Sequence, residues 1–345
     1  MGAHPARTQY VPPKLVHVSD DRPGWSRRRY GRGFQYLREN GSPIREPRIK
    51  ARLRALAIPP AWTDVWICPL ENGHLLCTGR DNAQRKQYRY HPLWLAYQQQ
   101  NKFDRLIKFA ARLPEARGTI RNLLTQVGAG WTRRRVTALA LAIMDETGMR
   151  VGNAGYRKLN GTIGLTTLRR KHLEIDISSL HFAYPGKSGV DRSVDLTDPL
   201  LVRLIKNVSE LPGYELFRYR GKDGKMHNLE SADVNELVSE LFGDEFSSKY
   251  FRTWAGTSAA VRSHWALKQE NPDEERPDLR TLEGVAEELG NTVAVCREYY
   301  VHPAVLTAIR EGNLPDASSI TPQEDRLLGD TFEPEEIIAF RVCSA

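Results

Sequence analysis

Two hydrophobic periodicities divide the chain. Up to about residue 100, short runs with β-formers, GFQYL (33–37), DVWICPL (64–70) and HLLCTG (74–79), lie between the turn signals GRG, ENG and PP. They predict a small sheet domain with one or two helices, such as 47–57. HPLWLAYQQQ (91–100) then turns into a helical pattern. Further helices are predicted over 101–112, 115–126, 132–147, 198–209, 231–242 with Ser231 as N-cap, 248–269 and 279–289. In the third of these, Val136, Leu139, Ile143 and Met144 fall on one face. One stretch breaks the helical rhythm. Leu173, Ile175 and Ile177, then Leu180, Phe182 and Tyr184, then Val190, Val194 and Leu196 alternate, which predicts strands joined at the turn PGKSG. The fold class is therefore α+β: a mainly β domain over 1–100 and a mainly helical domain over 101–345 that contains a short hairpin sheet.

Composition narrows the function. The 345 residues are enough for two cores. The longest apolar runs, such as Ala138–Met144, fall far short of a membrane span. MGAHPARTQYVPPK at the start has no apolar stretch or cleavage site of an export signal, so a cytoplasmic protein is expected. Cysteines 68, 77, 296 and 343 form no Cys-x-x-Cys pair, and the nine histidines have no metal-ligand spacing, so neither disulfides nor a metal is expected. Charge is uneven. Residues 1–100 hold 17 Lys and Arg against 7 Asp and Glu, whereas 101–345 hold 33 against 35. That concentration favours a polyanion, with nucleic acid the leading one, while the acidic stretch 316–345 limits where it could lie.

Candidate chemistry begins at AYPGKSGVDR (183–192). Its Gly-Lys-Ser suggests a P-loop, but that motif needs a glycine at 181, where His181 stands, and a helix at the lysine, where VDRSVDL continues as a strand. A nucleotide is not expected. Three other segments supply context: DETGMRVGN (145–153), SKYFRTWAGT (248–257) and LGNTVAVCREYYVHP (289–303). Singly, Arg150 reads as a helix-end cation, Arg252 as an ion-pair partner, and Tyr299 and Tyr300 as packing residues. Together, two arginines, a lysine on a turn and a tyrosine suit phosphodiester transesterification. A phenol can attack phosphorus, guanidiniums can grip the non-bridging oxygens, and a lysine can protonate the leaving sugar oxygen.

At these residues the chain resembles the type IB DNA topoisomerases, specifically the compact bacterial branch similar to the poxvirus enzymes. The likeness is carried by GRDNAQRKQYRYHP (79–92), RVGN with GLTTLRRKH (150–172), FAYPGKSGV (182–190), SKYFRTWAGTSAA (248–260) and LGNTVAVCREYYVHP. The resemblance implies a reaction without ATP, metal or other cofactor, on double-stranded DNA, by a monomer that clamps the duplex between its two domains. It implies that Arg150 and Arg252 are the transition-state arginines, Lys187 the general acid, and Tyr300 the nucleophile that forms a 3′-phosphotyrosine link, with Tyr299 the alternative. Where the family usually has histidine this chain has Asn291, whose amide can donate to phosphate but cannot carry charge. Gln87, Tyr88 and Tyr90 match the family's DNA-contacting segment; Arg80, Arg85, Lys86 and Arg89 interleave with them as basic DNA-binding candidates.

Two alternatives remain at this stage. A tyrosine recombinase uses similar chemistry, but usually has His-x-x-Arg where this chain has Lys249-Tyr250-Phe251-Arg252, and commonly a histidine at the Asn291 position. A non-catalytic DNA-binding protein of the same fold would not need the full set of Arg, Lys, Arg and Tyr.

Overall fold

The alternating segments of the first hundred residues pair into one antiparallel sheet. In the computed structural model, which describes residues 14–128 and 130–345, the strands are β1 (Trp25–Tyr30), β2 (Gly33–Leu37), β3 (Thr63–Ile67), β4 (Leu75–Arg80) and β5 (Lys86–Tyr90), in the order β2-β1-β3-β4-β5. Helix α1 (Pro47–Ala55) starts at a proline, whose missing N–H costs nothing at a helix start. It buries Leu53 against Trp25, Ile67 and Cys77. Each large side chain so withdrawn from water contributes about 1.5–3 kcal/mol. Arg52 of the same helix donates to the carbonyls of Cys68, Pro69 and Leu70, so part of the basic composition holds the fold together. The stretch read for an export signal lies, but for Lys14, outside the described residues.

The chain divides into two compact units, the first ending at Lys102 and the second running from Phe103 to Ala345. Helix α2 (Pro92–Thr125) crosses that point in sequence. It is one element where two, 101–112 and 115–126, were expected. Pro114 lacks an N–H, but Phe109, Leu113, Ala116 and Ile120 on both sides of it are buried in the same core, and this packing carries the helix through the proline.

The second unit continues with α3 (Arg133–Thr147) and α4 (Ala154–Asn160), then the antiparallel sheet β6 (Leu173–Ile175), β7 (Leu180–Pro185) and β8 (Asp191–Leu196). Next come α5 (Pro199–Ser209), the ribbon β9 (Arg218–Arg220) and β10 (Met226–Asn228), and α6 (Ser231–Phe242). The chain closes with α7 (Lys249–Glu270), α8 (Pro277–Leu289), α9 (Val293–Tyr299), α10 (Pro303–Arg310), α11 (Pro322–Leu328) and α12 (Pro334–Ser344). Ser231 is the first helical residue of α6, not its cap. Glu230 holds the cap position, with its backbone N–H donated to Asp233 Oδ2 at 2.8 Å.

Helix α7 is buried along most of its length, including Phe251, Trp254 and Ala260. Arg117 of α2 ties its surroundings together by donating to both carboxylate oxygens of Asp145 on α3 (2.7 and 3.0 Å) and of Glu336 on α12 (2.8 and 2.9 Å). Glu336 also accepts from Trp254 Nε1 at 2.6 Å. Burial alone would lower the Arg117 pKa, but the two carboxylates hold it above its ordinary value.

Candidate active site

The end of α3, the middle of α7 and the loop after α8 converge. Gly148 caps α3 and turns the chain so that Arg150 O accepts from Leu165 N and Val151 O from Thr166 N, both at 2.8 Å. These bonds fix the backbone of the RVGN segment. The Arg150 guanidinium then donates to Asn291 Oδ1 at 2.5 Å. Arginine has only donors, so the amide oxygen must face it and Nδ2 must point away. Nδ2 is buried with no oxygen or nitrogen acceptor among the described residues. Its polar neighbour is the Cys296 thiol, a weak acceptor to which the amide is hydrogen-bonded and which can engage only one of its two protons.

Arg252, on α7, is only 4% exposed. It donates to Gly148 O at 2.5 Å and to Leu289 O, which locks the α7 guanidinium to the ends of α3 and α8. Its Cζ lies 5.1 Å from the centre of the Tyr300 ring, and the guanidinium is hydrogen-bonded to the Tyr300 phenol. Burial, reinforced by repulsion from Arg150 and Arg192, holds its pKa down to about 10, with Tyr300 pulling the other way. Among the described residues, Arg150, Arg192 and Arg252 form no ion pair with a carboxylate; their partners are carbonyls, an amide and phenols. The site is therefore a cluster of positive charge without its own counter-ion.

Tyr300 follows α9 and packs against the core of this unit. The Thr257 hydroxyl shares its one proton between Thr253 O at 2.9 Å and the carbonyl of Tyr300 at 3.3 Å, and its Oγ1 accepts from His302 N at 3.1 Å. Gly256 makes this approach possible: a Cβ there would stand 2.7 Å from Tyr300 O. His302 caps α10, its Nδ1 accepting from Ala304 N at 3.1 Å while its ring meets the edge of Phe103. Burial lowers the His302 pKa to about 4. Tyr299, by contrast, is 46% exposed, and its phenol is held above its ordinary pKa by a hydrogen bond to Glu298.

Lys187 stands exposed in the turn between β7 and β8, closed by Gly186 N donating to Val190 O at 2.8 Å. The geometry thus brings Arg150, Arg252, Asn291 and Tyr300 together and leaves Lys187 on the adjoining hairpin. Arg192 was not anticipated from the sequence. Its signal was parity: on β8 it shares the inward face with Val194 and Leu196, where a cation is out of place.

The basic candidates of the first unit have a different setting. Tyr88 and Tyr90 stack with ring centroids 6.0 Å apart on one face of β5. Arg85 pairs with Asp81 at 2.8 Å, Lys86 with Asp20 at 2.6 Å and Arg80 with Asp64 at 3.7 Å. Gln87 donates to Asp81 Oδ2 at 2.9 Å. Arg89 turns inward, over Trp62 and onto the Ala57 carbonyl. Among the described residues no group of His, Cys, Asp or Glu could hold a metal ion, and no helix is long and apolar enough to cross a membrane.

Comparison with known proteins gives the family. Residues 84–312 match the family described as eukaryotic DNA topoisomerase I, catalytic core, and residues 33–81 match bacterial DNA topoisomerase IB, N-terminal domain. The DNA topoisomerase 1B of Acanthamoeba polyphaga mimivirus is 28% identical over 77% of this chain and 81% of its own length. The DNA topoisomerase 1B of vaccinia virus (strain Copenhagen) is 24% identical over 73% of this chain and 78% of its own length. A post-cleavage complex of the XerH site-specific recombinase bound to its palindromic difH substrate is a remote structural neighbour, with TM-score 0.33 and 16% identity over 65% of this chain and 50% of that one. The chain belongs to the type IB DNA topoisomerases, of the compact kind. It is an isomerase that acts on double-stranded DNA and relaxes its supercoils.

Proposed function

We propose that relaxation proceeds by transfer of one DNA strand to Tyr300. The phenolic oxygen forms a bond to phosphorus, the bond from phosphorus to the 5′-oxygen breaks, and a 3′-phosphotyrosine link remains. Lys187 supplies the proton that the departing 5′-oxygen needs, and the phenolic proton passes to solvent. Arg150 and Arg252 take the non-bridging oxygens, where charge grows in the transition state, and Nδ2 of Asn291, held only by the weak Cys296 acceptor, donates a further hydrogen bond. The broken strand then rotates about the intact one, and the 5′-hydroxyl attacks back. Because the link retains the energy of the bond it replaced, the cycle consumes no ATP, and the cation cluster does the work that a metal would do elsewhere.

One observation carries this reading: three guanidiniums, those of Arg192 and Arg252 buried and that of Arg150 partly so, gather near Tyr300 and the Asn291 amide with no carboxylate paired to them among the described residues. An uncompensated buried charge is costly, and a phosphate is the anion whose geometry the forked donors fit. The setting of Tyr300 against Arg252, and of Tyr299 against Glu298, favours Tyr300 as nucleophile. In the first unit, Arg80, Arg85, Lys86, Gln87, Tyr88, Arg89 and Tyr90 are read as the DNA-binding set, with Arg89 contributing chiefly to the fold. The enzyme acts as a monomer, since one copy holds every group the reaction uses.

The test is relaxation of supercoiled plasmid in EDTA without ATP. Wild type is expected to relax it, and Tyr300→Phe to fall below about 10⁻³ of that rate with no covalent protein–DNA adduct. An adduct that persists in Tyr300→Phe and maps to Tyr299 would overturn the assignment.

A further inference from the structure

Arg192 is the charged group of this region that the chemistry above leaves unused. It is 7% exposed and sits on β8 opposite Tyr184 of β7, to whose phenol it is hydrogen-bonded. Its guanidinium leaves the hairpin altogether. Nη2 donates to Glu288 O at 2.7 Å and Nη1 to Glu287 O at 3.4 Å, two carbonyls at the end of α8.

Two glycines make room for it. A Cβ on Gly186 would stand 2.7 Å from Arg192 Cγ, and a Cβ on Gly290 would stand 2.1 Å from Nη1 and 2.7 Å from Cζ. Gly186 directly precedes Lys187, and Gly290 directly precedes Asn291. The side chain therefore threads between the two points from which the hairpin lysine and the loop amide are hung. Placing it there has a cost, because Arg192 repels the already crowded Arg252. The loop after α8 is also secured by Arg252 at Leu289 O and by Arg150 at Asn291. The tip of the hairpin has fewer ties, chiefly Ile163 N donating to Pro185 O at 2.9 Å and Gly186 N to Val190 O at 2.8 Å.

We infer that Arg192 is a positioning residue, a strut that holds the Lys187 hairpin in register with the Asn291 loop so that the lysine meets the leaving oxygen of the phosphate those groups grip. The inference rests on the reading of Lys187 as general acid. Arg192 does not touch the reacting atoms. Its loss acts through Lys187, so it should matter only when the leaving group needs a proton.

The experiment is single-turnover cleavage by the full chain of a duplex carrying either an ordinary phosphodiester or one with sulfur in place of the bridging 5′-oxygen, a leaving group that needs no protonation. Lys187→Ala is the reference, expected to lose about 10²-fold on oxygen and to recover on sulfur. Arg192→Met, which keeps the length of the stem and removes the donors, is expected to lose about 10- to 50-fold on oxygen and to come within about 3-fold of wild type on sulfur. The double variant should be no slower on oxygen than Lys187→Ala, since both changes remove one contribution. Tyr184→Phe deletes one bond to the strut with little change of shape, and should show the same oxygen-specific pattern at about 3- to 5-fold, which serves if Arg192→Met does not fold. Recovery of Lys187→Ala on sulfur with equal losses of Arg192→Met and Tyr184→Phe on both substrates would overturn the strut alone. Failure of Lys187→Ala to recover would remove the general-acid reading, and the strut with it.

Discussion

The first unit carries the greater excess of positive charge, yet the second holds the sharper site for an anion. On β4, β5 and the turn between them the cations Arg80, Arg85 and Lys86 are about half exposed and each is already paired with an aspartate. Such pairs in water are worth roughly 0–1 kcal/mol, so a DNA phosphate can replace the aspartate at little cost and with little orientation. Around Tyr300 the order is reversed. Arg150, Arg192 and Arg252 are fixed by carbonyls, an amide and phenols, and no carboxylate compensates them among the described residues. Net charge counts cations, whereas function depends on whether a cation has a counter-ion and whether it can move. On the proposed reading, a region of slightly negative net charge therefore owns the catalytic phosphate site, while the basic region contributes affinity.

The comparison can be broken most decisively at Arg252. Arg252→Lys keeps the charge but cannot span Gly148 O, Leu289 O and the Tyr300 phenol at once. Its cleavage rate should fall about 10²- to 10³-fold with duplex affinity within about 3-fold of wild type. A loss below about 5-fold in single-turnover cleavage would mean that charge alone suffices in the second unit too. The smaller effect lies in the first unit. Asp20→Asn keeps an acceptor for Thr78 but releases Lys86 from its 2.6 Å ion pair. Affinity for non-specific duplex should rise about 2- to 4-fold at low salt, with the gain fading as salt increases and cleavage of bound DNA unchanged. Unchanged affinity at every salt concentration would show that Lys86 takes no part in binding.

Much of this is legible in the sequence alone. The alternation from Leu173 to Leu196 yields β6, β7 and β8 with the turn at PGKSG, and the helical runs at 132–147 and 231–242 fall on α3 and α6. The family motifs also pointed to Arg150, Arg252, Asn291 and Tyr300, which the fold brings together. Periodicity was silent where tertiary packing decides. Pro114 looks like a boundary in sequence and is not one, because the core on either side of it outweighs one lost hydrogen bond. Glu230 rather than Ser231 caps α6, since what selects the cap is the reach of Asp233 back to a backbone N–H. Arg192 was missed because an arginine on an exposed-looking hairpin reads as solvated, although its parity with Val194 and Leu196 placed it inside. The aspartate partners of Arg80 and Lys86 come from distant positions, so no local pattern announces them.

The neutral imidazole of His302 has a consequence for the acidity the enzyme can withstand. Its folded pKa is about 4, below an ordinary value of 6.5, so the unfolded chain takes up a proton that the folded chain refuses. The stability it supports is complete above about pH 6.5 and drains away as the medium is acidified towards pH 4. Protonation would also take the lone pair of Nδ1 from the Ala304 N–H, at a histidine two residues beyond Tyr300 whose own N–H donates to Thr257, the contact of the Tyr300 carbonyl. His302→Asn offers a non-titrating cap acceptor, so its melting temperature between pH 7 and pH 4.5 should fall less steeply than that of wild type; parallel slopes would exclude the imidazole as the cause. Mild acid would thus act on the proposed nucleophile from behind, by loosening the turn after α9 on which Tyr300 is mounted.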